Sequence, residues 1–385
     1  MVSSFLRAAV FAGLAGLLTS NVASAQNAQQ PAAPAPPLQA GFQDGFFVQA
    51  PNGDYRLVFG MVAQADGRFV VAEPAHPFIN TFTIRKLRPT FSGRIARYFD
   101  FKIMPDFGNG TAVVADMYFD IRFSPKFRIR TGKDKTPIGL ELLQGDAYLF
   151  FPERAIASSL VPNRDTGVQV QGDILSNHLF YAAGVFNGIP DGSSSTTELD
   201  LNSGKDLAGR VVLTPWRTTG TSTSALSGLG FALGGSAGQE TGPQLPTFRT
   251  SITQVYYAYA LNSSADGLRR RVTPSAFYYY KSLGGFGEYM RSSQWVSRNG
   301  ARRYISNNAW EVTGSYMSKP TPLSRTNSTT SCEVSLVTPT SISASSRFRE
   351  YLKAFDRRLV KTSWSMTVTS DIRRKPADEI GRAHV

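Results

Sequence analysis

The chain has 385 residues, one cysteine and three histidines, and its 41 Lys and Arg against 28 Asp and Glu give a net charge of +13. The lone Cys332 excludes an internal disulfide, and no Cys/His spacing suited to a metal occurs. Beyond the N-terminus no run is apolar and long enough for a membrane helix, which leaves a β-barrel open because only every second residue of its strands faces lipid.

Met1 to Arg7 carries one positive charge, Ala8 to Leu18 is apolar, and Ala23-Ser24-Ala25 has the small-x-small pattern that signal peptidase needs. Residues 1–25 are therefore expected to be a cleaved signal peptide. As an anchor the apolar stretch is too short for ~30 Å of hydrocarbon. Residues 26–40, QNAQQPAAPAPPLQA, are uncharged and aperiodic and read as an extended linker. Export to the envelope argues against nucleic acid as the partner of the positive charge. Part of that charge is local: from Lys319 onward there are 12 basic and 6 acidic residues, leaving 29 against 22 before it.

From Gly45 to about Tyr316 aromatic and β-branched segments alternate with turn signals. After Pro51-Asn52-Gly53-Asp54, Tyr55, Leu57, Phe59, Met61 and Ala63 share one face, while Arg56, Gln64, Asp66 and Arg68 share the other. In 84–95, Leu87, Phe91 and Ile95 oppose Lys86, Arg88 and Arg94. In 99–107, Phe99, Phe101, Ile103 and Phe107 oppose Asp100, Lys102 and Asp106. In 115–123, Ala115, Met117, Phe119, Ile121 and Phe123 oppose Asp116, Tyr118, Asp120 and Arg122. Past Ser124-Pro125, Phe127 and Ile129 oppose Arg128 and Arg130. Further strands are expected at 166–174, 179–187, 207–215, 228–235, 248–260, 272–281, 286–292 and 308–317. Tyr278, Tyr279, Tyr280, Tyr289, Trp295, Trp310 and Tyr316 suit interfacial girdles, or ordinary core packing.

Several runs reach the ~9–11 residues that cross a bilayer at a tilt, whereas sandwich strands average ~5–6. Connections alternate between short turns (Arg97-Tyr98, Ser124-Pro125, Ser176-Asn177) and longer stretches (70–81, 106–113, 187–206). The expected fold is all-β, a transmembrane antiparallel barrel over residues 41–317.

With the apolar face in lipid, the polar face lines a lumen. It carries Lys86, Arg88, Arg94, Lys102, Arg122, Arg128 and Arg130 beside Asp66, Asp100, Asp106, Asp116 and Asp120. Rings of Lys and Arg behind a low-dielectric wall select anions, and Arg adds a bidentate fork for phosphate. A mixed-charge solvated face, its acids neutralising the path, would leave the same pattern. The connection 132–165 adds Lys133, Lys135, Arg154 and Arg164. Its Ile138, Leu140, Leu142, Leu143, Tyr148, Phe150 and Phe151 favour packing against the barrel, folded into the pore, over a solvated loop.

FDFKIMPDFG (99–108), FSPKFRIRTGKDKTPIGLE (123–141), PERAIASSLVPNRDTGVQV (152–170), AAGVFNGIPDG (182–192), GKDLAGRV (204–211), ADGLRRRVTPSAFYYY (265–280) and EYMRSSQ (288–294) resemble the phosphate-selective porin (porin O and P) family in order. The resemblance implies a 16-stranded outer-membrane barrel, usually a homotrimer, whose basic, loop-narrowed pore passes phosphate or other small anions without a cofactor. The candidate anion-binding and pore-lining residues are Lys86, Arg88, Arg94, Arg122, Arg128, Arg130, Lys133, Lys135, Arg154 and Arg164, with Lys133 and Lys135 foremost.

From residue 318 the resemblance stops. Residues 318–385 are Ser/Thr-rich, lack sustained alternation and end IGRAHV, which resembles translated sequencing adapter. They read as an out-of-frame tail, with a genuine divergent tail as the alternative, and are expected to be irregular beside a barrel wall that runs to about Met317. Three other functions compete with a selective porin. One is a general diffusion porin without phosphate preference. Another is a barrel hydrolase, for which His76, His178 and His384 supply no evident nucleophile–base set. A structural or adhesive barrel is the third class. Asp191, Glu198, Asp200 and Asp206 could hold a divalent cation in a loop but read rather as solvated loop acids.

Overall fold

The computed structural model describes residues 37–43, 45–69, 80–195, 202–218, 224–250 and 255–317, with the backbone of 333–339, 364–369 and 381–383. The signal-peptide expectation and most of the linker and tail lie outside these residues. The strands all belong to one compact unit, residues 39–385.

The main wall is a 14-stranded antiparallel sheet. Its strands are β1 (Gln39–Phe42), β2 (Phe46–Gln49), β3 (Arg56–Arg68), β4 (Thr81–Ile95), β5 (Phe99–Asp106), β6 (Val113–Ser124) and β7 (Phe127–Lys135). They continue as β8 (Arg164–Ile174), β9 (Leu179–Phe186), β10 (Asp206–Leu213) and β11 (Leu229–Gly242). The remaining expected strand, 248–260, does not join this wall. It forms β12 (Thr247–Arg249) and β13 (Val255–Tyr259), a separate small sheet with β19 (Gly381–Ala383), and β11 pairs directly with β14 (Ser263–Tyr280). The reason is packing: Phe248 and Tyr257 are buried against Leu160, Met290 and Ala309, which places the pair in the interior apolar cluster.

The wall ends with β15 (Leu283–Arg298) and β16 (Ala301–Met317). These are longer than the expected 286–292 and 308–317. They form one continuous hairpin, because Asn299 and Gly300 both adopt positive φ (51° and 80°), the geometry of a tight primed turn. Beyond Met317, β17 (Glu333–Pro339) and β18 (Trp364–Thr369) pair short stretches of β16 and run parallel to each other. Among the described residues the barrel is not closed, with β1 at one edge of the sheet. The antiparallel wall reaches Met317, and β1 starts at Gln39, inside the predicted linker.

The period-two reading fixes which side chains face out. Along β3 exposure alternates at every residue, and Met61 is 62% exposed while its neighbours are shielded. Leu57, Phe59, Phe82, Phe91, Phe99, Met117, Phe119, Val168, Leu207, Phe231 and Val312 are likewise exposed. The inner face buries Lys86, Asp116, Asp120, Gln169, Gln171, Arg269, Arg271, Glu288 and Glu311. In water such an inverted distribution would be unstable; a hydrocarbon belt around the outer face makes it favourable. The protein is an all-β barrel of this inverted kind.

Connections alternate in length over much of the wall, the exceptions being the tight turn 299–300 and the longer connection 214–228. Short turns at 96–98, 125–126, 175–178 and 281–282 mark one end. At the other, the segments 136–163, 187–205 and 243–262 are long. These long segments fold back onto the inner wall. Ile138, Leu142, Ala157, Leu160 and Val161 of the first form one apolar cluster with Phe186, Ala208, Met290 and Ala309 of the wall.

Candidate functional site

The inner face of β4–β8 presents its charges as shared clusters. Arg94 Nε donates to Asp100 at 3.0 Å, and Arg122 donates to the same carboxylate. Lys102 Nζ and Arg164 Nε both donate to Asp116, at 2.7 and 2.5 Å. Arg130 grips Asp120 with two bonds of 2.6 and 2.8 Å, also pairs with Asp134, and stacks 3.8 Å over the Tyr118 ring. Arg128 lies 3.7 Å from Asp173.

A further cluster joins wall to loop. Arg88 Nε donates to Asp106 at 2.6 Å and a second Arg88 nitrogen donates to Asp146 of the loop. Arg154 Nη1 donates to Asp146 at 2.7 Å, and Lys86 Nζ stands 3.7 Å from it. Burial alone would raise the Asp146 carboxyl, but Arg154, Arg88 and Lys86 together hold it far below the usual carboxylate range. Arg154 also donates to the Glu141 and Gln144 carbonyls at 3.3 and 2.6 Å.

Of the two lysines expected to lead the filter, Lys133 lies outside these clusters and Lys135 joins the loop cluster, since it donates to the same Gln144 carbonyl as Arg154. Lys133 pairs with Met117 and Thr166, both on the exposed outer row, and its ammonium donates to the carbonyls of Val114 (2.7 Å) and Ser195. Lys135, at the end of β7, donates to the Gln144 carbonyl at 2.6 Å. Of the four cations within eight residues, only Arg128 and Arg130 share the inward row. Parity separates Lys133 from Arg128 and Arg130, on a strand whose even residues point inward, whereas Lys135 at the strand end escapes that rule and reaches the docked loop.

The far wall holds residues that sequence reasoning passed over. Glu288 of β15 accepts from Leu140 N–H at 2.7 Å and Glu141 N–H at 3.3 Å, and Thr273 Oγ1 accepts from Gly139 N–H at 3.1 Å. Glu141 in turn accepts from Ala155 N–H at 2.9 Å and meets the fully buried Glu311. Burial raises the Glu141 carboxyl to about 7, against the pull of the Ala155 N–H and Arg154.

A second anchor ties 187–205 to β14. Arg271 donates to Asp191 (2.6 Å), Asp206 (2.7 Å), Ser236 (3.1 Å) and the Ile189 carbonyl (2.7 Å). Arg269 donates to Glu240 at 2.6 Å and to Asp206 at 3.2 Å. The expectation that Asp191 and Asp206 are solvated is overturned: both are buried and neutralised by guanidinium groups. Glu198 and Asp200 lie outside the described residues. The run Leu268-Arg269-Arg270-Arg271 was the available signal, since alternation sends 269 and 271 inward and leaves 270 exposed.

Among the described residues no group of His, Cys, Asp and Glu could hold a metal. His178 sits at a turn with Nδ1 2.9 Å from the Thr214 carbonyl oxygen. His76 lies outside the described residues.

No curated protein sequence matches the chain. Among solved structures it is similar to OmpT (in-vitro folded), an outer membrane protein of Vibrio cholerae, at 13% identity and a TM-score of 0.43, over 69% of this chain and 72% of that one. The family profile described as phosphate-selective porin O and P matches residues 64–294, more than half of the chain. The matched span runs from β3 into β15 and includes the clustered inner wall and its docked loop. The chain therefore belongs to the phosphate-selective porin O and P family, and it is a porin of the bacterial outer membrane.

Proposed function

We propose that this porin passes phosphate and other small anions passively through a basic lumen narrowed by residues 136–163. One observation carries the reading. On the inner wall single carboxylates are shared by more than one cation: Asp100 by Arg94 and Arg122, Asp116 by Lys102 and Arg164, and Asp146 by Lys86, Arg88 and Arg154. Even with Asp106 counted against the last group, each of these three clusters keeps an excess positive charge, whereas Arg130 faces two carboxylates and Arg269 with Arg271 face three. Fixed positive charge beside low-dielectric walls raises the local anion concentration. Several shared, partly neutralised sites also suit conduction, because an ion must leave as readily as it enters.

The loop supports the constriction. It brings Arg154 and Asp146 against β4, and its apolar residues pack on the opposite wall, so it crosses the interior between two anchors. The family and the inverted barrel point to a channel rather than an enzyme. A general diffusion porin differs only in lacking a phosphate preference.

The test is a reversal potential across a planar bilayer with a potassium chloride gradient, followed by titration with phosphate. Anion preference with phosphate-dependent block of the chloride current is expected. Cation preference would overturn the reading, and anion preference without block would assign general diffusion.

A further inference from the structure

Among the inward-facing cations, Arg210 differs. Along β10, Leu207, Val211 and Leu213 are exposed outward while Asp206 and Ala208 are buried inward, so Arg210 shares the inward row. Its register partners are Ala182 on β9 and Gly234 on β11, two positions with almost no side chain. Gly234 is small for a reason: a Cβ there would come within 3.2 Å of Ile138 Cα and 2.7 Å of Thr273 Oγ1. The loop backbone thus lies directly on Gly234, and Arg210 stands one strand away, at the level where the loop docks.

Arg210 has no hydrogen bond or ion pair with any described residue. The acid acting on it is Glu288, and both Glu288 oxygens already accept loop N–H groups. By contrast, Arg88, Arg94, Arg122, Arg130, Arg154, Arg164, Arg269 and Arg271 each donate to a carboxylate. A guanidinium has five N–H donors and no acceptor, and a half-buried charge without partners is costly. The group that satisfies it without altering the wall is an oxyanion travelling in the lumen. The planar fork fits two oxygens of such an anion, and the nearby Glu288 charge keeps the contact weak enough for release.

We infer that Arg210 is a specificity-determining residue of the pore, a transient site for phosphate-type oxyanions beside the docked loop. The inference rests on the anion-channel reading above and adds a position the charge pattern of β4–β8 does not contain.

The test uses the full chain in planar bilayers, with inorganic phosphate as the probe. Two variants separate charge from geometry: R210Q removes the charge, and R210K keeps it but loses the fork. The phosphate concentration that halves the chloride current should rise about ten-fold in R210Q and less in R210K. Heat-modifiable migration on a gel reports folding of each variant. Block at the wild-type concentration in folded R210Q, or in R210K should R210Q not fold, overturns the inference while anion selectivity stands. A cation-selective wild type instead overturns the underlying functional reading. An anion-selective wild type insensitive to phosphate overturns the Arg210 inference.

Discussion

Replacing Glu288 with Ala should loosen the 136–163 loop from the wall. The carboxylate accepts Leu140 N–H at 2.7 Å and Glu141 N–H at 3.3 Å, and all three residues are buried. Deletion leaves two backbone donors without acceptors, and each buried orphan costs about 1–3 kcal/mol. Taking the longer bond at the low end, the loss is about 3 kcal/mol, or roughly a hundred-fold shift toward the undocked loop. The other anchors are untouched: Thr273 still accepts Gly139 N–H, Asp146 still binds Arg88 and Arg154, and Ile138, Leu142, Leu160 and Val161 stay packed. The loop should therefore open intermittently rather than leave. Single-channel recording should show a second, larger conductance level in E288A, and trypsin should cut after Arg154 faster than in the wild type. E288Q, which keeps one acceptor oxygen, should fall between them. A quiet E288A channel of wild-type conductance, with a loop equally resistant to trypsin, would refute the argument that Glu288 holds the loop.

Because burial raises Glu141 to about 7, its neutral form is favoured in the docked loop. That contribution is full below the ordinary carboxylate pKa and is lost as pH rises through about 7, since the ionised group then faces Glu288 and Glu311 with Arg154 as its nearby cation. Conductance noise should grow over that range and be flat in E141Q. For selectivity, R94Q combined with R122Q should lower the anion preference measured by reversal potential. K133Q should leave it unchanged, because Lys133 belongs to the outer row. Amino-terminal sequencing of protein from the membrane fraction should begin at Gln26, and recovery of the uncleaved chain from cytosol would count against export.

The barrel wall was legible in the sequence because period two is a local property. Leu57, Phe59 and Met61 against Gln64 and Asp66 already state which face meets lipid, and no distant contact can reverse that without inverting a whole strand. The same parity separated Arg128 and Arg130 from Lys133, although clustering of charge along the chain pointed the other way. Fates set by long-range packing were not legible. Residues 248–260 alternate like wall strands, yet Phe248 and Tyr257 find a drier place among Leu160, Met290 and Ala309. The acids Asp191 and Asp206 look solvated until Arg269 and Arg271, over sixty residues away, close on them. Arg210 is the converse case. Its charge is plain in the sequence, but that its neighbours are Ala182, Gly234 and the loop backbone was decided only by the fold. A side chain's face follows from its own strand, whereas its partners depend on which strands and loops the fold brings beside it.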